Sequence, residues 1–168
     1  MAAVKKSGKP AVKKAPYLSV VLPVYNEEES LVLQHKAITE AVKGLNKSYE
    51  IIFIDDGSID SSYEILKSIS AKDKNVKIVR FRRNFGQTAA MAAGIDHSNG
   101  EIIVFMDSDL QNEPGDIGKL LEKIEEGYDV VSGWRANRQD KLISRKIPSK
   151  IANWLIAKVT GVPLHDLG

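Results

Sequence analysis

The sequence has no cysteine, which excludes disulfides and thiolate metal sites and is compatible with a reducing compartment. Its three histidines, His35, His97 and His165, are too scattered for a zinc pattern. No stretch approaches the ~18 apolar residues of a membrane span. Lysines near the N-terminus are not followed by an apolar segment, so no secretory signal is read there. Neither Gly-x-Gly-x-x-Gly nor Gly-x-x-x-x-Gly-Lys-[Ser/Thr] occurs, so neither a dinucleotide dehydrogenase nor a P-loop NTPase is indicated. Acidic residues are missing from positions 1–16, which carry Lys5, Lys6, Lys9, Lys13 and Lys14. This segment reads as a disordered basic tail with at most a weak attraction to anionic lipid. Without it, 19 basic residues face 22 acidic ones, a net charge of −3 rather than the +2 of the whole chain. A nucleic-acid partner thereby loses its main support.

What is present fits one globular domain. The chain has 168 residues, 43% of them hydrophobic and 27% charged, enough for a substantial core. Its organising stretch is Ile102–Met106, five apolar residues that run straight into Asp107-Ser108-Asp109-Leu110-Gln111. Such a run reads as a parallel strand buried on both faces. The aspartates then fall at its carboxyl end, where open α/β sheets bind ligands. Two carboxylates and an amide oxygen are hard ligands, suited to Mg²⁺ or Mn²⁺ bridging to phosphates.

The rest alternates between strand and helix. Strands are predicted at Leu18–Val24, Tyr49–Ile54, Val76–Phe81 and Tyr128–Ser132. Asn26 is a good N-cap, with Glu27, Glu28 and Glu29 in the first turn of a helix that Gly44 stops. Asp60 caps a second helix. Thr88–His97 form a short, Ala-rich helix whose small residues allow close packing. Pro114 opens a fourth helix that Gly127 ends. A last helix is predicted over Ile147–Thr160. This order argues a mainly parallel, doubly wound α/β sheet with helices on both faces. The strand at 102–106 would return beside the first, opening a crevice between them. The turn at Tyr25–Glu27 and the loop at Asp107–Gln111 would meet there, and Asp55-Asp56 would line the same rim. Gathered carboxylates need a cation or hydrogen-bond donors to offset their repulsion; a nucleoside diphosphate with a divalent ion would supply both.

Three motifs now carry a resemblance. Val20-Val-Leu-Pro-Val-Tyr-Asn-Glu27, Ile54-Asp-Asp-Gly-Ser58 and Met106-Asp-Ser-Asp-Leu-Gln111, in this order and spacing, resemble the family 2 glycosyltransferases, which have the GT-A fold. Arg83-Asn-Phe-Gly86, Gly133-Trp-Arg135, Asn137-Arg138 and Arg145 with Ser149 are similar to its polyprenyl-phosphate branch, which includes dolichol-phosphate mannose synthase and bacterial undecaprenyl-phosphate sugar transferases. The resemblance covers residues 17–168. It implies transfer of a sugar from a UDP- or GDP-sugar to a polyprenyl phosphate at the cytoplasmic face of a membrane. It implies that Pro23, Tyr25, Asn26, Glu27, Asp55, Asp56, Asp107 and Ser108 hold the donor nucleotide. Asp107, Asp109 and Gln111 would hold Mg²⁺ or Mn²⁺. Asp109, Arg135 and Asp166 would serve catalysis, and Arg145 and Ser149 the acceptor phosphate. Members continue past the position of His165-Asp166, many into transmembrane helices, whereas this chain stops at Gly168. The implied unit is therefore a catalytic domain truncated at its C-terminus.

The chemistry of the residues agrees. A phosphate acceptor is already anionic near neutral pH, because its second pKa is ~6. The demand lies in bringing two anions together and neutralising the leaving diphosphate, which a divalent cation and arginines meet. Five cations lie between Arg135 and Lys146. Ile147, Ile151, Leu155, Ile156 and Val159 form an apolar stripe beside Trp154, flanked by Lys146, Lys150 and Lys158, as in helices that lie on a membrane surface. Two further readings fit the same motifs: a family 2 transferase with a polysaccharide or protein acceptor, and a nucleotide-binding module without catalysis.

Overall fold

The computed structural model describes residues 2–5, 15–108 and 113–133. The predicted helix at 147–160 and everything else from 134 onward lie outside the described residues. Six strands form one sheet: β1 (Ala2–Lys5), β2 (Leu18–Val24), β3 (Tyr49–Asp55), β4 (Val76–Arg80), β5 (Ile102–Phe105) and β6 (Val130–Ser132). Among the described residues, four α-helices accompany them: α1 (Leu31–Gly44), α2 (Ser62–Lys72), α3 (Gln87–His97) and α4 (Ile117–Glu125). A 3-10 turn at Pro114–Asp116 leads into α4, with Pro114 in its first turn as expected. The strand order is β4-β3-β2-β5-β1-β6. β4, β3, β2 and β5 are parallel, so β5 returns beside β2 as the alternating pattern predicts.

Alternation along the strands separates two cores. Val20, Leu22, Val24, Ile51, Phe53, Val104 and Met106 face one side, packed with α1, α2 and α4. Val21, Ile52, Ile54, Ile103 and Phe105 face the other, packed with Ala90 of α3. Helices on both faces explain why these strands are apolar at nearly every position. α3 lies close to the sheet because it is built from small residues: a Cβ at Gly94 would stand 2.3 Å from Val21 Cγ1.

The reading of residues 1–16 as a disordered tail does not hold for residues 2–5. These four form β1, antiparallel to both β5 and β6. The lysines favour a solvated tail, but the free hydrogen-bonding edge of β5 is satisfied by an extended segment. Among the described residues, no helix is long and apolar enough to cross a membrane.

The amino-terminal edge of the sheet carries one buried polar cluster. Glu50, 5% exposed, accepts hydrogen bonds from Ser19 Oγ at 2.6 Å and Asn99 N at 2.6 Å and pairs with Lys77. Burial pushes its carboxyl up, but Lys77, Ser19 and Asn99 outweigh burial and hold it below the usual carboxylate range. A depressed carboxyl stabilises the fold above its unfolded pKa of about 4.3, and that contribution is lost as pH falls through the folded value. Glu50→Gln is expected to cost about 1–3 kcal/mol at neutral pH. The gap to the unaltered protein should close on acidification, as read by urea denaturation from neutral pH to below pH ~4.

Candidate functional site

The site begins where β2, β3 and β5 end. Val24 pairs with Asp55 across the β2–β3 ladder, while the β2–β5 ladder stops at Val21 and Phe105. Met106 N still donates to Val21 O at 3.0 Å. Pro23, one pleat further on, would turn its N–H to the same side but has none. The two chains therefore separate there, and the crevice between β2 and β5 opens at Pro23 and Asp107.

After β2 the chain turns through Tyr25, Asn26 and Glu27. Asn26 takes φ +57°, a left-handed conformation that asparagine tolerates better than most residues. Its N–H donates to Ser58 Oγ at 3.0 Å, and its Oδ1 accepts from Ile59 N at 2.9 Å. Glu27 N donates to Ser62 Oγ at 2.8 Å. The turns after β2 and β3 are thus stitched together. This corrects the helix start predicted at Asn26: the left-handed residue cannot lead into a helix, its side chain is engaged by Ile59, and α1 begins after Ser30. Glu27, Glu28 and Glu29 precede the helix.

Asp55 is the last residue of β3 and is fully buried. Its Oδ1 accepts from Ser58 N at 2.9 Å. Arg80 Nε lies 3.2 Å from Oδ2, close enough for an ion pair but not aligned as a hydrogen bond, so Oδ2 keeps an unmet acceptor. Arg80 in turn lies over the Tyr63 ring at 3.9 Å. Asp56 is buried too. Its Oδ1 accepts from Phe85 N at 2.7 Å and its Oδ2 from Gly86 N at 2.9 Å. Backbone N–H groups and one guanidinium therefore offset much of the charge of this acidic pair.

On the β5 side, Asp107 Oδ1 accepts from Gln87 Nε2 at 3.1 Å. Ser108 is buried, and its carbonyl accepts from Ser30 Oγ at 2.9 Å. Pro23, Tyr25, Glu27, Asp56, Asp107 and Ser108 line one cavity of about 460 Å³, together with Asn84, Gly86 and Gln87. A second cavity of about 660 Å³ shares Tyr25 and Asn84 and is lined by Arg80, Arg82 and Arg83. Acidic and cationic walls thus meet at Tyr25. The structure brings six of the expected donor-site residues onto one cavity. Asn26 holds the turn, and Asp55 sits beneath it. Asp109, Gln111, Arg135, Arg145, Ser149 and Asp166 lie outside the described residues. Among the described residues, no three acidic or histidine side chains gather as metal ligands. Asp107 itself offers a hard carboxylate at the mouth of the crevice, which fits a divalent cation. Sequence reasoning missed Ser30, Arg80 and Gln87; the one available signal was a polar residue opening the Ala-rich α3.

Comparison with known proteins adds an independent line. The model of glycosyl transferase family 2 matches residues 19–163. The chain is 47% identical over 152 residues to an undecaprenyl-phosphate 4-deoxy-4-formamido-L-arabinose transferase of Salmonella choleraesuis, covering 90% of this chain and 46% of that protein. A Salmonella newport protein of the same name matches to the same extent. The chain thus spans about half the length of these relatives. Among solved structures, a mannosyltransferase from Pyrobaculum calidifontis in complex with GDP-Man and Mn²⁺ superposes with a TM-score of 0.54 at 21% identity, over 66% of this chain and 32% of that one. The fold is the GT-A type that the motifs imply.

The left-handed turn gives a direct test. Asn26→Ala should destabilise by about 1–2 kcal/mol more than Asn26→Gly, since both lose the Ile59 contact but only alanine is strained at positive φ. Chemical denaturation of the two variants reads the difference.

Proposed function

The chain belongs to glycosyl transferase family 2, and we propose that it transfers a sugar from a nucleotide-sugar donor to the phosphate of a polyprenyl lipid at the cytoplasmic face of a membrane. One observation carries the donor half: Tyr25, Glu27, Asp56 and Asp107, drawn from three separate motifs, line one cavity at the carboxyl ends of β2, β3 and β5. The acceptor half is supported by the relatives at 47% identity, whose name specifies an undecaprenyl phosphate.

In this reading the half-exposed Tyr25 packs against the nucleoside. Asp55 backs the nucleoside end of the site from the end of β3, and Glu27 faces the ribose. Asp56 forms part of the wall. Asp107, Asp109 and Gln111 hold Mg²⁺ or Mn²⁺, which when bound neutralises charge developing on the leaving diphosphate. Arg135 faces the phosphates, Arg145 and Ser149 seat the acceptor phosphate, and Asp166 lies on the acceptor side. Arg145 and Ser149 stand four apart across a predicted helix start at Ile147-Pro148, where free N–H groups favour an anion. The acceptor oxygen is anionic near neutral pH, so orientation matters more than proton removal.

Calorimetry with UDP and GDP, with and without Mn²⁺, tests the donor half. Metal should tighten binding of one nucleotide, and Asp109→Asn should abolish that gain. Undiminished metal dependence in a folded Asp109→Asn protein would contradict the assignment. Arg145→Ala should leave nucleotide binding nearly unchanged and lower transfer to a short-chain polyprenyl phosphate by about 10- to 100-fold. Loss of nucleotide affinity with acceptor dependence intact would move Arg145 to the donor side.

A further inference from the structure

Asp56 and Asp55 are neighbours in one motif but do different work. Asp55, fully buried at the end of β3, has one oxygen that accepts no aligned hydrogen bond and pairs with Arg80 at 3.2 Å. Asp56 spends one oxygen on each of two successive backbone N–H groups, Phe85 at 2.7 Å and Gly86 at 2.9 Å. A carboxylate bridging adjacent amides fixes the position and tilt of a loop, and such charge-assisted bonds are among the stronger ones.

The next residue completes the clamp. Gly57 has φ +72°, and a Cβ there would stand 2.4 Å from Arg83 C and 2.7 Å from Asn84 N. The loop after β4 therefore passes directly against the Gly57 backbone. Arg83 lies over the Phe85 ring at 4.2 Å, and Phe81 meets Phe85 edge-on at 5.6 Å. The loop is thus held by its backbone from one side and by its own rings from the other. It carries two things to the site. Arg83 and Asn84 line the cationic cavity that shares Tyr25. Immediately after Gly86, Gln87 starts α3 and donates to Asp107 Oδ1 at 3.1 Å.

We propose that Asp56 is a positioning residue rather than a ligand of the nucleotide: by clamping the loop at Phe85 and Gly86, it sets both the rim of the nucleoside cavity and, through Gln87, the orientation of Asp107. The ligand side of this statement rests on the glycosyltransfer reading above, whereas the clamp itself does not. One carboxylate would then couple nucleotide binding to cation binding without touching either ligand.

The test compares Asp56→Asn, Gly57→Ala, Gln87→Ala and Asp55→Asn, using UDP or GDP and Mn²⁺ as probes. In the ligand-free protein, Asp56→Asn should speed hydrogen exchange at the Phe85 and Gly86 amides, while Asp55→Asn should not. Asp56→Asn should weaken nucleotide and, at saturating nucleotide, Mn²⁺ by about tenfold each. Gly57→Ala alters no charge and acts by pressing a Cβ on the Arg83 and Asn84 backbone, so it should move both affinities the same way, and it carries the test if Asp56→Asn does not fold. Asp56→Asn combined with Gln87→Ala should weaken Mn²⁺ no more than the stronger single change, because both act through one contact. A purely structural role would leave the Mn²⁺ affinity of the folded protein unmoved. Weakened nucleotide binding in Asp56→Asn with unchanged amide exchange, and with Gly57→Ala behaving as the unaltered protein, would make Asp56 a direct ligand and overturn the proposal. An unchanged Mn²⁺ affinity in both variants would also overturn it. If the unaltered chain binds no nucleotide, the glycosyltransfer reading falls instead, and amide exchange still decides whether the clamp exists.

Discussion

β2, β3 and β5 are covered by helices on both faces, and a charged side chain along their middle would leave water without a partner. An ionised carboxylate in that position costs several kcal/mol or gives up its charge. The strands are therefore apolar through their length, and polar chemistry collects at their ends. Glu50, Ser19 and Lys77 gather at one edge of the sheet. Asp55, Asp56 and Asp107 gather at the other. The amino-terminal edge is closed by its own ion pair and hydrogen bonds. The carboxyl edge opens where Pro23 lets β2 and β5 part, and there acidic groups line a cavity.

The same constraint explains what was legible in the sequence. An apolar run such as Ile102–Met106 has one stable place in an α/β sheet, and its position in the chain set the strand order. The three motifs then had to converge, and they do. Less legible were features set by tertiary contacts. Asn26 reads as a helix cap because asparagine serves there often, yet its side chain is taken by Ile59 across the turn. Asp56 reads as a partner of Asp55, but the loop that occupies it lies 29 residues away. Gln87 carries no pattern that marks it as a neighbour of Asp107. Ala2–Lys5 form a strand because β5 has a free edge, a fact outside those residues themselves.

Electrostatics at the site follow from these contacts. The carboxylates of Glu27, Asp55, Asp56 and Asp107 at this end of the sheet repel one another, yet each is countered, Glu27 by Ser30 Oγ at 3.0 Å. Ser58 N and Arg80 serve Asp55, the Phe85 and Gly86 amides serve Asp56, and Gln87 serves Asp107. Fixed dipoles of this kind hold the acidic rim in place before any ligand arrives, which lowers the cost of ordering on binding. A divalent cation and a diphosphate brought together there would each offset the charge of the other, whereas either alone would meet an imbalance. That complementarity suits the nucleotide donor proposed above.

In the proposed function, a donor nucleotide and a cation sit at the carboxyl ends of β2, β3 and β5. Paramagnetic relaxation by Mn²⁺, added to the isotope-labelled protein with UDP or GDP, locates the cation without relying on turnover. The account predicts that the amide signals of Asp107, Ser108 and Gln87 broaden first, while those of Asn99 and Lys77 at the opposite edge stay sharp. Broadening centred instead on the acidic end of α4, at Glu122, Glu125 and Glu126, with Asp107 unaffected, would contradict it.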